Sequence, residues 1–234
     1  MRPLTSHPNL AEQVHHEILA EIISGRLGEH ARLIQDELAR QLGVSRQPVQ
    51  QALLLLRSQG FVREAHGRGL EVAPIDIGFV RDLYEFRAVT EGLAARLSAL
   101  RNSEKAAKLG PKLIEEGHKA ESEGSVPKLI AADVKFHELL YELSGNRLIG
   151  ETAQPHWMHL RRVMGEVLLR DGKPRRIWDQ HQEILDAIIR KDASEAEQLA
   201  KVHITNAAGV FIARLEKLRA EAMAAADAAA LPRV

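Results

Sequence analysis

Beyond Ala73 and Pro74 the chain loses almost every sign of a strand and keeps one repeating signal. Apolar residues recur there at three- and four-residue steps, interrupted at five places. The interruptions are Arg101-Asn102-Ser103, Glu123-Gly124-Ser125, Ser144-Gly145-Asn146, Asp171-Gly172-Lys173-Pro174 and Lys191-Asp192, each built from residues that stop or start helices. Five breaks leave six helices, so residues 78–220 are expected to form an all-α six-helix bundle packed through its apolar faces. The Ala-rich tail, residues 221–234, either extends the last helix or frays, and no function attaches to it.

Three of those helices carry polar groups where the pattern puts the core. Around ADVKFHELL, Leu129, Ile130, Phe136 and Leu140 share one face with Asp133 and His137. A four-residue step sets that pair about 40° apart and one turn along the axis, close enough to share an ion. In RRIWDQHQEILDAIIRK, His181 sits among Ile177, Trp178, Ile184, Leu185 and Ile188. In AEQLAKVHITNAAGVFIARL, His203 and Asn206 share the face of Leu199, Ala207 and Val210.

A lone inward histidine is ordinarily a core residue with one satisfied hydrogen bond. A carboxylate and three imidazoles are another matter, because burying them without compensation costs several kcal/mol. A divalent cation at their common centre removes that penalty. Nitrogen-rich coordination with one carboxylate suits Zn²⁺, with Ni²⁺, Mn²⁺ and Fe²⁺ as alternatives. The chain has no cysteine, so thiolate sites and disulfides are excluded. His156 and His159 lack this context and read as packing or surface residues.

Such a centre retains a charge of about +1, and a metal taking five or six ligands keeps positions open. A small organic acid can then coordinate through its carboxylate while an arginine clamps it by paired hydrogen bonds. Arg87 is the first candidate for that clamp, and Arg161 or Arg162 the second; an ordinary ion pair is an equal alternative for each. Asn206, beside His203, is a further candidate contact.

The N-terminal part reads differently. Residues 8–74 open with helical patterns, and from Leu33 run LIQDELARQLGVSRQPVQQALLLLRSQGFV. Leu38, Ala39 and Leu42 mark a short helix that Gly43 ends, as a residue tolerant of positive φ. Ser45 is placed to cap a second helix, and Pro48 in its first turn forfeits little. Val49, Ala52, Leu53 and Leu56 face inward, leaving Arg46, Gln47, Gln50 and Gln51 outward. Two short helices about a tight turn form a helix-turn-helix. Its outward residue types pair with guanine and adenine in the major groove. Phe61–Ala65 and Leu70–Ala73 then form strands around His66-Gly67-Arg68-Gly69, a hairpin wing whose Arg68 and His66 suit phosphates or the minor groove.

Charge supports that reading only locally. The whole chain balances 32 basic against 32 acidic residues. Residues 40–69, by contrast, hold five arginines against the single acid Glu64. No apolar run approaches the ~18 residues of a membrane span, and MRPLTSHPNL lacks the apolar stretch of a secretory signal. The expected compartment is the cytoplasm.

The pattern GRL…RL…ELARQLGVSRQPVQQAL…LRSQGFV…GRG-x-x-VA resembles the winged helix-turn-helix of the GntR family of bacterial transcription regulators. The resemblance implies DNA contacts at Ser45, Arg46, Gln47, Gln50, His66 and Gly67. Two departures stand out: Gln50-Gln51 replaces the usual Arg-Glu, and Glu29-His30 replaces the usual Pro-Gly. Asp82…Arg87…Glu91, the Asp-x3-His pair, HQEILDAI and H-x-x-N resemble the all-helical FCD effector domain of the FadR-like subfamily, in its six-helix variant. That resemblance implies Asp133, His137, His181 and His203 as metal ligands, a small carboxylate effector, and a homodimer. The expectation is a metal-containing, acid-responsive regulator, a repressor acting at a palindromic operator. The rivals are a regulator with a purely structural metal and a metal-dependent enzyme fused to a DNA-binding head. No general base is evident for the enzyme.

Overall fold

In the computed structural model the chain divides into two compact units, Met1–Ile75 and Asp76–Val234. Residues 10–171 and 177–230 are described. The first nine residues, residues 172–174 of the fourth break and the last four residues of the tail lie outside them.

The first unit packs helix α1 (Leu10–Ile23) against α3 (Arg46–Ser58), with α2 (Gln35–Leu42) alongside α3. Val14, Ile18, Leu19 and Ile22 recur at helical spacing and meet Val49, Leu53 and Leu56 in the core. On α2 only Ala39 is fully buried; Leu38 and Leu42 are half-buried, so this helix contributes less to the core than its pattern suggests. Gly43 ends α2 at φ 67°, and its neighbouring N–H groups return to the carbonyls of Ala39 and Arg40. Ser45 begins α3 in extended conformation but makes no side-chain cap, which leaves its hydroxyl uncommitted within the helix.

The wing is a three-stranded antiparallel sheet rather than a bare hairpin. Strands β2 (Val62–Glu64) and β3 (Leu70–Val72) pair as expected, Val62 opposite Val72. A third strand, β1 (Arg32–Leu33), adds to the other edge of β3, with Arg32 opposite Glu71. Two residues are too few to announce themselves by alternation.

The described elements of the second unit are all helices: α4 (Ile77–Arg101), α5 (Ser103–Glu123), α6 (Val126–Ser144), α7 (Arg147–Ala153), α8 (Trp157–Asp171), α9 (Ile177–Ile189) and α10 (Ala193–Ala230). The helices end at the four breaks that the described residues cover; the fourth of the five read from the sequence lies largely outside them. One more interruption, a 3₁₀ turn at Gln154–His156, divides α7 from α8 inside what the six-helix count takes as one segment. Pro155 supplies the reason, since it lacks the N–H that an unbroken helix needs there. The Ala-rich tail continues α10 as far as Ala230.

Asp76 caps α4, its Oδ1 accepting from the N–H of Gly78 at 2.9 Å and of Phe79 at 3.2 Å. The far end of α4 is tied to α6: Ser98 Oγ donates to the Leu140 carbonyl, Arg101 to that of Ser144, and Asn102 to that of Leu143. Helices α4, α6, α9 and α10 pack about a common interior, with α5 across α6 and α9. Phe136, Leu140, Trp178, Ile184, Leu185 and Ile204 are among its fully buried residues. The close seat of α5 on α9 depends on Gly117, where a Cβ would lie 2.1 Å from the Trp178 ring.

Candidate functional site

The inward polar groups of α6, α9 and α10 converge. His181 Nε2 lies 3.2 Å from His203 Nε2. Asp133 Oδ1 stands 3.6 Å from His181 Nε2 and 3.8 Å from His137 Nε2. Ligand atoms held ~2.0–2.1 Å from a tetrahedral zinc are spaced by about 3.3 Å, so these separations fit the edges of one coordination shell. The three imidazoles are 0–4% exposed and form a group able to hold a metal ion.

Protonation and orientation favour the same use. Burial, and after it the neighbouring His203, push His181 well below the ordinary histidine range. Burial and then His137 bring His203 down to about 3. Both rings are therefore neutral near pH 7 and present lone pairs, as ligands must. The Nδ1–H of His203 is directed to Gln180 Oε1 at 2.8 Å, which leaves Nε2 for the centre. His181 Nδ1 is buried without a hydrogen-bond partner. Burial raises the Asp133 carboxyl, opposed by His137 and Arg87; this acid is 13% exposed and lines a pocket.

That pocket adjoins the centre. Arg87, Glu121, Asp133, His137 and His203 are among its polar lining, and Leu129, Met164, Leu168, Ile177, Trp178 and Phe211 among its apolar walls. Arg87 is only 5% exposed, and its guanidinium carbon sits 5.2 Å from the ring centres of both Tyr84 and Trp157. Its Nε donates to Glu91 Oε1 at 2.7 Å. Its Nη2 is equally near that oxygen, yet has no aligned acceptor. The other proposed acid contacts fall elsewhere. Arg161 and Asn206 are exposed, Arg162 is buried, and none of the three lines this pocket. Two turns beyond His203, Val210 is likewise exposed, so the inward face of α10 is narrower there than its pattern implies.

In the first unit Ser45, Arg46, Gln47, Gln50 and Gln51 are exposed at the start of α3, while Pro48, Val49, Ala52 and Leu53 anchor its other side. Arg46 pairs with Asp36 of α2. His66, Gly67 and Arg68 are exposed at the wing tip, where Gly67 has φ 101°.

Residues 10–72 match the bacterial regulatory proteins of the gntR family, and residues 82–206 match the FCD domain. The Nta operon transcriptional regulator of Aminobacter aminovorans is 31% identical over 175 residues, covering 74% of this chain and 80% of that one. The chain belongs to the GntR family, with an FCD domain at its C-terminal end. Another relative is a helix-turn-helix regulator from an unstable DNA locus of Streptomyces ambofaciens, 29% identical over 90% of this chain and 88% of its own length. The fold recurs in Escherichia coli McbR/YncC, with TM-score 0.70 at 23% identity over 89% of this chain and 98% of that one. A Rhodococcus sp. RHA1 protein described as a GntR transcriptional regulator gives TM-score 0.72 at 22% identity, covering 87% and 97%.

This GntR chain is thus a DNA-binding transcription regulator and not an enzyme. No described helix is long and apolar enough to cross a membrane. Three groups were not read as parts of a site, two beside the helical centre of this GntR chain and one in its wing. Glu91 was noticed only as part of the family pattern, though its place four residues after Arg87 marked it as that residue's partner. Tyr141, one turn after His137, donates to Glu91 Oε1 at 2.9 Å. Arg32 of β1 donates to the carbonyls of His66 and Arg68 and so braces the wing tip, a contact between residues 34 and 36 positions apart that no local pattern announces.

Proposed function

We propose that this GntR regulator is a cytoplasmic homodimeric repressor whose grip on a palindromic operator is set by a small organic acid received at a metal centre in its helical unit. The observation that carries the reading is the convergence of three buried imidazoles and Asp133 beside a pocket whose remaining walls, Glu121 apart, are mainly apolar. Asp133, His137, His181 and His203 would hold the ion, Zn²⁺ first among the candidates, and it would supply Lewis-acid affinity for a carboxylate. Arg87, whose Nη2 lacks an aligned acceptor within the protein, is the residue to clamp that carboxylate. Arg161, Arg162 and Asn206 drop out of the proposal because they lie away from the pocket lining.

Ser45, Arg46, Gln47 and Gln50 would read the major groove, with His66, Gly67 and Arg68 of the wing beside it. The dimer is supported by α4, where Phe79, Phe86, Val89, Leu93 and Leu100 are 36–65% exposed at spacings that keep them on one stripe. Elemental analysis, followed by a thermal-shift screen of small carboxylates with and without chelator, tests the sensing half. A protein that carries no metal, or that binds acids equally well after chelation, defeats it. The deep burial of the imidazoles favours one other reading, a metal that is purely structural. Acid binding lost on chelation while helicity persists excludes that version.

A further inference from the structure

We infer that Glu91 is the positioning residue of the metal centre, holding His137 and Arg87 in place from α4. This inference rests on the metal reading above. Glu91 is 1% exposed and meets three different groups. Its Oε2 abuts His137 Nδ1, a buried nitrogen that has no aligned acceptor. Its Oε1 accepts from Arg87 Nε at 2.7 Å and from the Tyr141 hydroxyl at 2.9 Å. A carboxylate against Nδ1 selects the tautomer with its proton there, and so leaves the Nε2 lone pair toward Asp133 and the other imidazoles. The same carboxylate fixes Arg87 by its Nε, with Nη2 2.7 Å from the same oxygen, at the wall of the pocket that Arg87 lines.

The alternative is that Glu91 only neutralises a buried arginine. The surroundings argue against so limited a role. Arg87 is already stacked between Tyr84 and Trp157, and a lone counter-ion has no need to reach His137 on a different helix. One carboxylate thus links the residue that would clamp an acid to a residue that would hold the ion. Gln180, by contrast, is hydrogen-bonded to His203.

The test titrates the full-length chain with Co²⁺, read by its visible absorption, and with Zn²⁺ in competition with a chromophoric chelator. Glu91→Gln keeps the size and removes the charge. It is expected to bind both ions about 10- to 100-fold more weakly, with a changed Co²⁺ spectrum because His137 is no longer held. Tyr141→Phe removes another contact of the same carboxylate but not the one to His137, and is expected to bind Co²⁺ as the parent does. A folded Glu91→Gln with parental affinity and spectrum overturns the inference. So does a Tyr141→Phe loss as large as that of Glu91→Gln, which would assign the effect to general loosening. If Glu91→Gln fails to fold, leaving Arg87 buried and unpaired, Glu91→Asp decides: it keeps the charge but withdraws the carboxylate by a methylene. Weaker Co²⁺ binding by that variant supports the inference, and parental binding overturns it. If the parent protein itself takes up neither ion, the metal reading falls and this inference with it; if the parent binds and the variants match it, only this inference falls.

Discussion

Arg46 stands at the exposed start of α3, and its guanidinium rests on the Asp36 carboxylate. Both side chains are at least half exposed, so their pairing adds little to stability. What it does is set the guanidinium beside α2, on the surface proposed to meet DNA. Arg46→Ala is therefore expected to leave the thermal unfolding of both units unchanged. Operator affinity should fall by about 1–3 kcal/mol, roughly 5- to 150-fold. Gel-shift titration beside circular dichroism checks both halves, and parental affinity in the variant would remove Arg46 from the reading surface. Residues such as Arg46 and His181 were legible in the sequence because each broke a pattern: a charge at a helix start or an imidazole on an apolar face. Glu91 and Arg32 were not, since the first hides in a common i, i+4 pair and the second acts across the sheet on carbonyls. Neither role exists until the chain has folded.

At the scale of elements, the helices were legible because their stops are chemical: Gly43, Gly124 and Gly145 adopt the left-handed conformation that ends α2, α5 and α6. The two-residue β1 and the 3₁₀ turn at Pro155 were not, being shorter than the periods used to find them. Close approach is equally hidden. Gly117 reads as a weak point in α5, yet it admits the Trp178 ring, and Trp178 packs in turn at 4.7 Å from the His181 ring. Gly117→Ala is expected to destabilise the helical unit by about 1–3 kcal/mol, the usual range for overpacking, despite alanine's better helix propensity. Urea unfolding followed by helicity measures this, and a stabilised variant would contradict the packing. Helix α4 carries a second expectation. Its inner face holds Arg87 and Glu91, while Val89 and Leu93 on its outer face are 65% and 40% exposed. Val89→Glu together with Leu93→Glu should convert a dimer into folded monomers in sedimentation velocity, and an unchanged dimer would move the interface off this stripe.

For the whole molecule, an acid bound in the helical unit alters DNA binding only if it binds the operator-competent arrangement and its competitor with different affinity. That requirement is reciprocal. Whatever factor the acid imposes on operator affinity, the operator must impose on acid affinity, typically about 5- to 150-fold for couplings of 1–3 kcal/mol. The expectation is therefore quantitative before the acid is identified. A carboxylate found by thermal shift should bind more weakly to the protein–operator complex than to the protein alone, if the protein is a repressor that the acid releases. The ratio should equal the one by which that acid weakens the operator in gel shifts at the same salt, since DNA affinity without a stated salt concentration has no fixed meaning. Calorimetric titration of the acid with and without a selected operator duplex supplies the comparison. Chelation should abolish both effects together, because one ion would serve both. Acid affinity indifferent to DNA would mean that the pocket beside Asp133 and His137 binds its ligand without reporting it to the reading head. An acid gripped more tightly by the complex would instead make the ligand a co-repressor or an activator, with the same centre and the opposite sign.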